Sequence, residues 1–150
     1  MNQIKTFDDF INIKTNNTYD LLNDIDCENK TLNKPICDFV GVINGNGYTI
    51  KNLIIEQDIW REEQPISFFY SICNSVIKDL NIKNIKFHGL DSIYSLNLGV
   101  LADVMENSVI ENLNIEVESE NEKIIPLCNQ HYKCDIKNVT LICNGKEVKV

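Results

Sequence analysis

A six-residue pattern recurs four times in this chain: an isoleucine, a charged residue, Asn or Asp, an aliphatic residue, any residue, and a second aliphatic residue. Such recurrence is typical of solenoids, in which each repeat buries its apolar face against the next one. Within each copy the apolar positions alternate with polar ones, as in half-buried strands. The pattern therefore predicts stacked coils of β-structure. The isoleucines that open the four copies are Ile50, Ile77, Ile110 and Ile136.

The third position of every copy is Asn or Asp. These residue types tolerate the left-handed backbone conformation of a sharp corner better than other non-glycine residues do. We therefore expect a bend between two strand segments at this position in each coil. Side chains of this kind that stack coil upon coil can form hydrogen-bonded ladders. The expected ladder consists of Asn52, Asp79, Asn112 and Asn138.

A second apolar stretch precedes each copy of the pattern, so each coil has at least two strand faces. These stretches cover residues 39–43, 68–72, 99–104 and 124–128. Side chains that point inward should stack over their equivalents and fill the interior, which leaves no cavity for a ligand. We predict an all-β fold, a short right-handed parallel β-helix of about five coils. With 43% hydrophobic residues, the chain can form a single β-helix domain over residues 1–150.

Three segments near the amino end carry a recognisable pattern: residues 4–10, residues 19–27, and residues 35–53 with their Gly-Asn-Gly turn. They resemble the GLUG-motif and related β-helix repeats of bacterial adhesins and of the non-catalytic regions of immunoglobulin A-cleaving metallopeptidases. The resemblance implies a short N-terminal capping helix, and Thr6 followed by Asp9 fits a capping box at its start. The family pattern is a scaffold signature and supplies no catalytic residue.

The charge balance restricts the kinds of partner. The chain carries a net charge of −8 with a single arginine, Arg61. Binding to a phosphate backbone depends on Lys and Arg, so we expect no direct nucleic-acid ligand and predict a protein partner with a basic surface. The first residues lack the features of a secretory signal, and no apolar run reaches the roughly 18 residues of a membrane span. We therefore expect no membrane partner and a cytoplasmic location.

Four glutamates at every second position form a candidate partner-binding stripe. On an extended strand they would all project to one side. They are Glu116, Glu118, Glu120 and Glu122, and Asp103, Glu106 and Glu111 would enlarge the acidic surface. Such a surface would attract a basic partner through electrostatic complementarity. The alternative interpretation is a solvated strand edge without a binding role.

An insertion between two repeat strands holds the only tryptophan and the only arginine of the chain. Loops that leave a solenoid are its usual binding surface, and Trp and Arg are common interface anchors. We therefore predict partner-binding roles for Trp60, Arg61, Glu62 and Glu63. The alternative is that Trp60 folds back over the flank of the solenoid. A second insertion, residues 87–94, would extend the same face.

The cysteines offer a further candidate site. Cys128, His131, Cys134 and Cys143 provide three thiols and an imidazole, a ligand set that zinc accepts. Their spacing differs from that of paired Cys-x2-Cys knuckles, and two of the cysteines fall at expected core or corner positions. We favour reduced, buried cysteines with a packing role, and we predict no cofactor and no metal.

These observations favour a non-enzymatic protein-binding module. His88 and His131 fall in different coils, and no nucleophile-base pair is recognisable, so we predict no enzymatic activity. One hypothesis is a phage-encoded inhibitor of a host defence or nucleic-acid-binding complex, located in the host cytoplasm. The alternative is an adhesin-like surface module that binds a host protein or glycan.

We expect residues 141–150 to form a hairpin. We also expect that two copies of the chain can form a homodimer through this end.

Overall fold

In the computed structural model, which describes residues 2–56, 65–90 and 97–150, the chain is nearly all β, with 60% of residues in strands and 5% in helices. The strands wind into a β-solenoid of about 4 turns with one short helix, which confirms the predicted fold class. The elements in chain order are β1 (Asn2–Ile4), α1 (Phe7–Ile11), β2 (Asn17–Leu21), β3 (Ile25–Leu32), β4 (Asp38–Phe39), β5 (Gly41–Asn44), β6 (Thr49–Ile55), β7 (Phe69–Cys73), β8 (Val76–Phe87), β9 (Ala102–Glu106), β10 (Val109–Ser119), a 3₁₀ turn (Glu120–Glu122), β11 (Cys128–Tyr132), β12 (Asp135–Cys143) and β13 (Lys146–Val148).

Two sheets run along the solenoid. The long sheet contains nine strands, and the four-stranded sheet has the order β11-β9-β7-β4. In the long sheet, Ile77, Ile110 and Ile136 are register partners on three successive strands. The paired strands are parallel except for β13, which folds back antiparallel onto the end of β12. Each coil therefore places the same inward positions above those of the preceding coil.

A third ladder of backbone hydrogen bonds joins the segments that precede the strands of the four-stranded sheet. The N–H of Ile36 donates to the carbonyl of Phe68 at 2.7 Å, and the N–H of Phe68 donates to the carbonyl of Val100 at 3.0 Å. The N–H of Val100 continues the series to the carbonyl of Pro126 at 2.9 Å. These segments are irregular, yet they keep the same coil-to-coil order as the strands.

The core is a continuous column of stacked apolar side chains that extends from Ile4 to Cys143. Equivalent residues on adjacent strands stack on each other. For example, Ile82 on β8 and Ile115 on β10 are register partners, and both are almost completely buried. A void of about 10 Å³ lies among core residues that include Phe10 and Phe68. A space of this size holds one water molecule at most, so this part of the interior has no room for a substrate.

The amino end explains why the count of about five coils was too high. Apart from the terminal strands β1 and β13, the long sheet has five layers of strands in the described residues, and the first of these, β2 and β3, has no partner in the four-stranded sheet. Helix α1 packs at this end, with the rings of Phe10 and Phe68 5.6 Å apart in an edge-to-face contact. The predicted capping box is present, since the Asp9 N–H donates to the Thr6 hydroxyl and the Thr6 N–H donates to the Asp9 carboxylate, each at 3.1 Å.

The predicted single ladder of corner residues is two ladders in the structure. Asn112 donates to Asp79, and Asn138 donates to Asn112, both at 2.9 Å. Asn52 belongs to the second ladder, where it donates to the Asp26 carboxylate at 3.0 Å and accepts from Asn84 at 2.7 Å.

The register of β6 explains this separation. Ile50 pairs with Ile82 in the second half of β8, whereas Ile77 in the first half pairs with Ile43 on β5. The first copy of the sequence pattern is therefore offset from the other copies by one strand segment. Residues 82–87 of β8 repeat the pattern a further time, with Phe87 in the place of the second aliphatic residue, and supply Asn84 at the second bend.

A Gly-Asn-Gly turn separates β5 from β6 and causes the offset. A Cβ atom on Gly45 would lie 2.3 Å from the backbone oxygen of Asp79 in the next coil, so only glycine fits at this position. Asn46 adopts a left-handed conformation, and its side chain donates to the Leu21 carbonyl at 2.9 Å. This turn therefore contacts both neighbouring coils.

The corner residue Asn112 has a φ of 56° and hydrogen bonds to both neighbouring coils. Substitution by alanine adds the cost of a left-handed alanine to the loss of those bonds, so we expect Asn112→Ala to lower the free energy of unfolding by about 2 kcal/mol. Asn112→Gly should cost about half as much, because glycine adopts this conformation without steric penalty. Chemical denaturation monitored by circular dichroism measures both values.

Asn114 is the matched control. It is exposed on the same strand and donates one hydrogen bond to Asn81, but its φ is not positive. Asn114→Ala should change the free energy of unfolding by less than about 0.5 kcal/mol. Equal effects of the two alanine substitutions would contradict the role assigned to the corner conformation.

Candidate protein-binding surface

Only two of the four predicted stripe glutamates project from one strand. Glu116 and Glu118 are exposed on β10. The ammonium group of Lys83 donates a hydrogen bond to the carboxylate of Glu116 at 3.2 Å and forms an ion pair with it. Glu118 is the register partner of Lys86 on β8. Lysines of the neighbouring coil therefore offset part of the negative charge, and this face of the long sheet is mixed in sign.

The prediction that Glu120 and Glu122 continue the stripe is wrong. Strand β10 ends at Ser119, and the following residues form the 3₁₀ turn. The carboxylate of Glu120 accepts hydrogen bonds from the N–H groups of Gly89 at 2.9 Å and Leu90 at 3.4 Å. Glu122 has a left-handed φ of 55°. The period of two is lost because the chain turns here into the next coil, and Glu120 stabilises a neighbouring turn.

The predicted anchors Trp60, Arg61, Glu62 and Glu63 lie outside the described residues. Of the second insertion, residues 91–94 also lie outside them. Phe87 and Leu90 are described, and both are buried in the core, with relative exposures of 0% and 3%. The expectation that residues 87–94 form one exposed face is therefore wrong for these two side chains.

The outer face of the four-stranded sheet is acidic. It carries the carboxylates of Asp38, Asp103 and Glu106, and no lysine or arginine occurs on β4, β7, β9 or β11. We call this surface the acidic face. Asp38 accepts a hydrogen bond from the Ser71 hydroxyl at 2.7 Å, and Asp103 accepts one from the Asn129 amide at 2.9 Å. Neutral donors thus orient two of the three carboxylates.

An exposed aromatic residue lies beside these carboxylates. Tyr132 is 51% exposed and is the register partner of Glu106 on the adjacent strand. Its hydroxyl donates to the Gln130 side chain at 3.0 Å. Tyrosine is a frequent anchor in protein interfaces, because its ring buries a large area and its hydroxyl still forms a hydrogen bond. The acidic face therefore combines charge with an aromatic contact.

Asp103 and Glu106 lie on a different surface from the one predicted for them. They were expected to enlarge the Glu116 stripe, yet β9 and β10 belong to different sheets. Asp38 was missed altogether. The short strand β4 has only two residues, so no alternation of apolar and polar residues marked Asp38 as an outward position.

The candidate zinc ligands do not converge. Among the described residues, no group of three or more His, Cys, Asp or Glu side chains could hold a metal ion. The thiol of Cys134 donates to the Tyr132 carbonyl at 3.5 Å, and that of Cys143 donates to the Lys123 carbonyl at the same distance. All six cysteines are free thiols, and Cys27, Cys128 and Cys143 are buried.

The histidines are also separated in the structure. His88 follows β8 of the long sheet, whereas His131 lies on β11 of the four-stranded sheet. The two imidazoles therefore do not belong to one site. None of the helices in the described part of the chain has the length and apolar character needed to cross a membrane.

Comparison of the chain with protein-family models, with curated proteins and with solved structures finds no match. The solenoid assignment therefore rests on the strand register and on the corner ladders of this chain.

Burial raises the pKa of the Cys128 thiol to about 11, with smaller contributions from the nearby Cys134 and Asp103. Relative to an ordinary thiol of pKa 9.0, this lowers the thiolate fraction at pH 8 by about 100-fold. Because the thiolate is the reacting species, we expect iodoacetamide to alkylate Cys128 at least about 100-fold more slowly in the folded protein than in the urea-unfolded chain. Peptide mass spectrometry measures this ratio, and equal rates would show that Cys128 is not buried.

Proposed function

We propose that this chain is a non-enzymatic protein-binding module that presents its acidic face to a basic surface of a partner protein. The observation that supports this most directly is the set of three carboxylates on a sheet whose strands carry no lysine or arginine. Complementary charge increases the rate of encounter and discriminates against partners of like charge. The net charge of −8 acts in the same direction.

The scaffold behind the acidic face favours binding because it is already ordered. The four strands are parallel and in register from Asp38 to Gln130 through Ser71 and Val104. Their inward side chains, such as Ile72 and Met105, are completely buried. A rigid surface loses little conformational entropy when a partner binds, and a preorganised site therefore binds more tightly.

Binding is favoured over catalysis by the same features. The carboxylates Asp38 and Asp103 lie on an outer sheet face, where water reaches them, and their donors are neutral side chains. Cleavage of a glycan requires two carboxyl groups on either side of a bound sugar. The void of about 10 Å³ among the core residues is too small to hold a sugar.

Two finer forms of this proposal stay predictions. A phage-encoded inhibitor would use the acidic face against a basic nucleic-acid-binding or defence protein. An adhesin-like surface module would use the same solenoid to bind a host protein or glycan, as the resemblance to GLUG-type repeats implies. The acidic surface favours the first, because a glycan without charge gains nothing from the carboxylates.

Matched neutralising variants test the proposal. The variant Asp38→Asn/Asp103→Asn/Glu106→Gln removes three charges from the acidic face and keeps side chains that can accept the observed hydrogen bonds. The control Glu111→Gln/Glu116→Gln/Glu118→Gln removes three charges from β10. The partner is first captured from extracts of the source cells by cross-linking to the unaltered chain and is then purified for titration.

We expect the acidic-face variant to bind the purified partner at least about 10-fold more weakly, which corresponds to a loss of about 1.4 kcal/mol. The β10 control should stay within about twofold of the unaltered chain, because Glu116 and Glu118 already lie beside lysines. Isothermal titration calorimetry at two salt concentrations measures both. Equal weakening by the two variants, or no weakening by either, would reject the acidic face as the binding surface.

A further inference from the structure

In the described part of the chain, the layer formed by β11 and β12 is covered only in part. Strand β13 pairs with residues 141–143 of β12, while the first half of β12 and the whole of β11 have a described strand on one side only. Ile136 and Val139 are half-buried here, although their register partners Ile110 and Leu113 in the preceding coil are 0% exposed. The last layer therefore lacks the covering that the inner layers have.

Exposed apolar side chains concentrate at the same end. Five large apolar side chains are exposed in the described part of the chain, and three of them fall within the last 27 residues. These three are Ile124, Tyr132 and Val150. An uncovered strand edge with apolar neighbours is a template for pairing with another strand.

The backbone direction fixes which residue offers its hydrogen-bonding groups to a partner. The N–H of Asp135 donates to the Ser108 carbonyl in the preceding coil at 2.9 Å. Because successive residues of a strand direct their backbone groups to opposite sides, the N–H and C=O of Ile136 point to the open edge. In an antiparallel ladder two such residues can exchange both of their hydrogen bonds.

The charges along this edge are self-complementary. Asp135 and Lys137 flank Ile136, project from the outer face and form an exposed ion pair at 2.9 Å. Antiparallel pairing of two copies about Ile136 places Asp135 of each copy opposite Lys137 of the other. Opposite charges in such cross-strand positions stabilise pairing.

The distribution of charge along the whole chain also favours this contact. Residues 128–150 contain four lysines and two carboxylate side chains, a net charge of +2, whereas the complete chain carries −8. In a dimer that forms through the carboxyl ends, the more acidic remainder of each copy therefore lies away from that of the other copy. Repulsion between them falls with distance and is screened by salt.

We infer that two copies of this chain associate about a twofold axis through Ile136, with the first half of β12 in each copy paired antiparallel to that of the other. This contact is isologous and closed, so it gives a dimer and not a fibre. It does not involve Asp38, Asp103 or Glu106, so variants that neutralise these three carboxylates should leave the dimer unchanged.

Single charge reversals provide the test. Asp135→Lys gives each copy two lysines on this edge, and Lys137→Asp gives each copy two aspartates, so like charges face each other in either homodimer. We expect sedimentation equilibrium to show a concentration-dependent dimer for the unaltered chain and a monomer for each variant. Mixing the two variants in equal amounts should restore the dimer, because all facing charges are then opposite.

A backbone substitution supplies a second, independent measurement. Ile136→Pro removes the N–H that points to the open edge and leaves the ladder to the preceding coil intact. We expect a folded monomer, with a free energy of unfolding close to that of the Ile136→Val control, which should still dimerise. A monomer at every concentration of the unaltered chain, assemblies larger than dimers, or failure of the mixed variants to associate would each overturn the inference.

Discussion

Every other feature of this molecule depends on the ladder of parallel backbone hydrogen bonds between successive coils. A chain that keeps such a ladder on more than one side must turn sharply several times per coil without losing register. The turns require left-handed residues, and ten of the fourteen non-glycine residues with positive φ in the described part are asparagines. The asparagine content is thus a structural requirement of the corners, where side chains such as Asn112 also bond both neighbouring coils.

The repeat pattern was sufficient to predict the fold class because it reports both strand alternation and corners. It was not sufficient to predict the register. Copies that look equivalent in sequence occur at two different bends, and only the pairing of Ile50 with Ile82 separates them. The choice between bends depends on the Gly45 turn, whose close approach to Asp79 involves residues distant in sequence. The coil count failed for a related reason, since helix α1 packs where the four-stranded sheet would otherwise continue.

The candidate surface was harder to predict than the fold. Alternating glutamates suggested a single acidic stripe, but charge along a strand says nothing about the strands on either side. In the folded chain Lys83 reaches Glu116, and Glu120 accepts backbone hydrogen bonds. The carboxylates of the acidic face come from two strands, β4 and β9, that are far apart in sequence, and Asp38 and Asp103 share a surface only because the coils stack.

Amide hydrogen exchange along β12 tests the parallel ladder most directly. At a concentration low enough for the monomer, the account predicts slow exchange for the Asp135 and Lys137 amides, which face the preceding coil, and fast exchange for the Ile136 amide between them. The β8 and β10 amides, which lie between two coils, should be protected throughout the paired segments. Uniform exchange across residues 135–137, or rapid exchange throughout β8 and β10, would contradict the stacked parallel register.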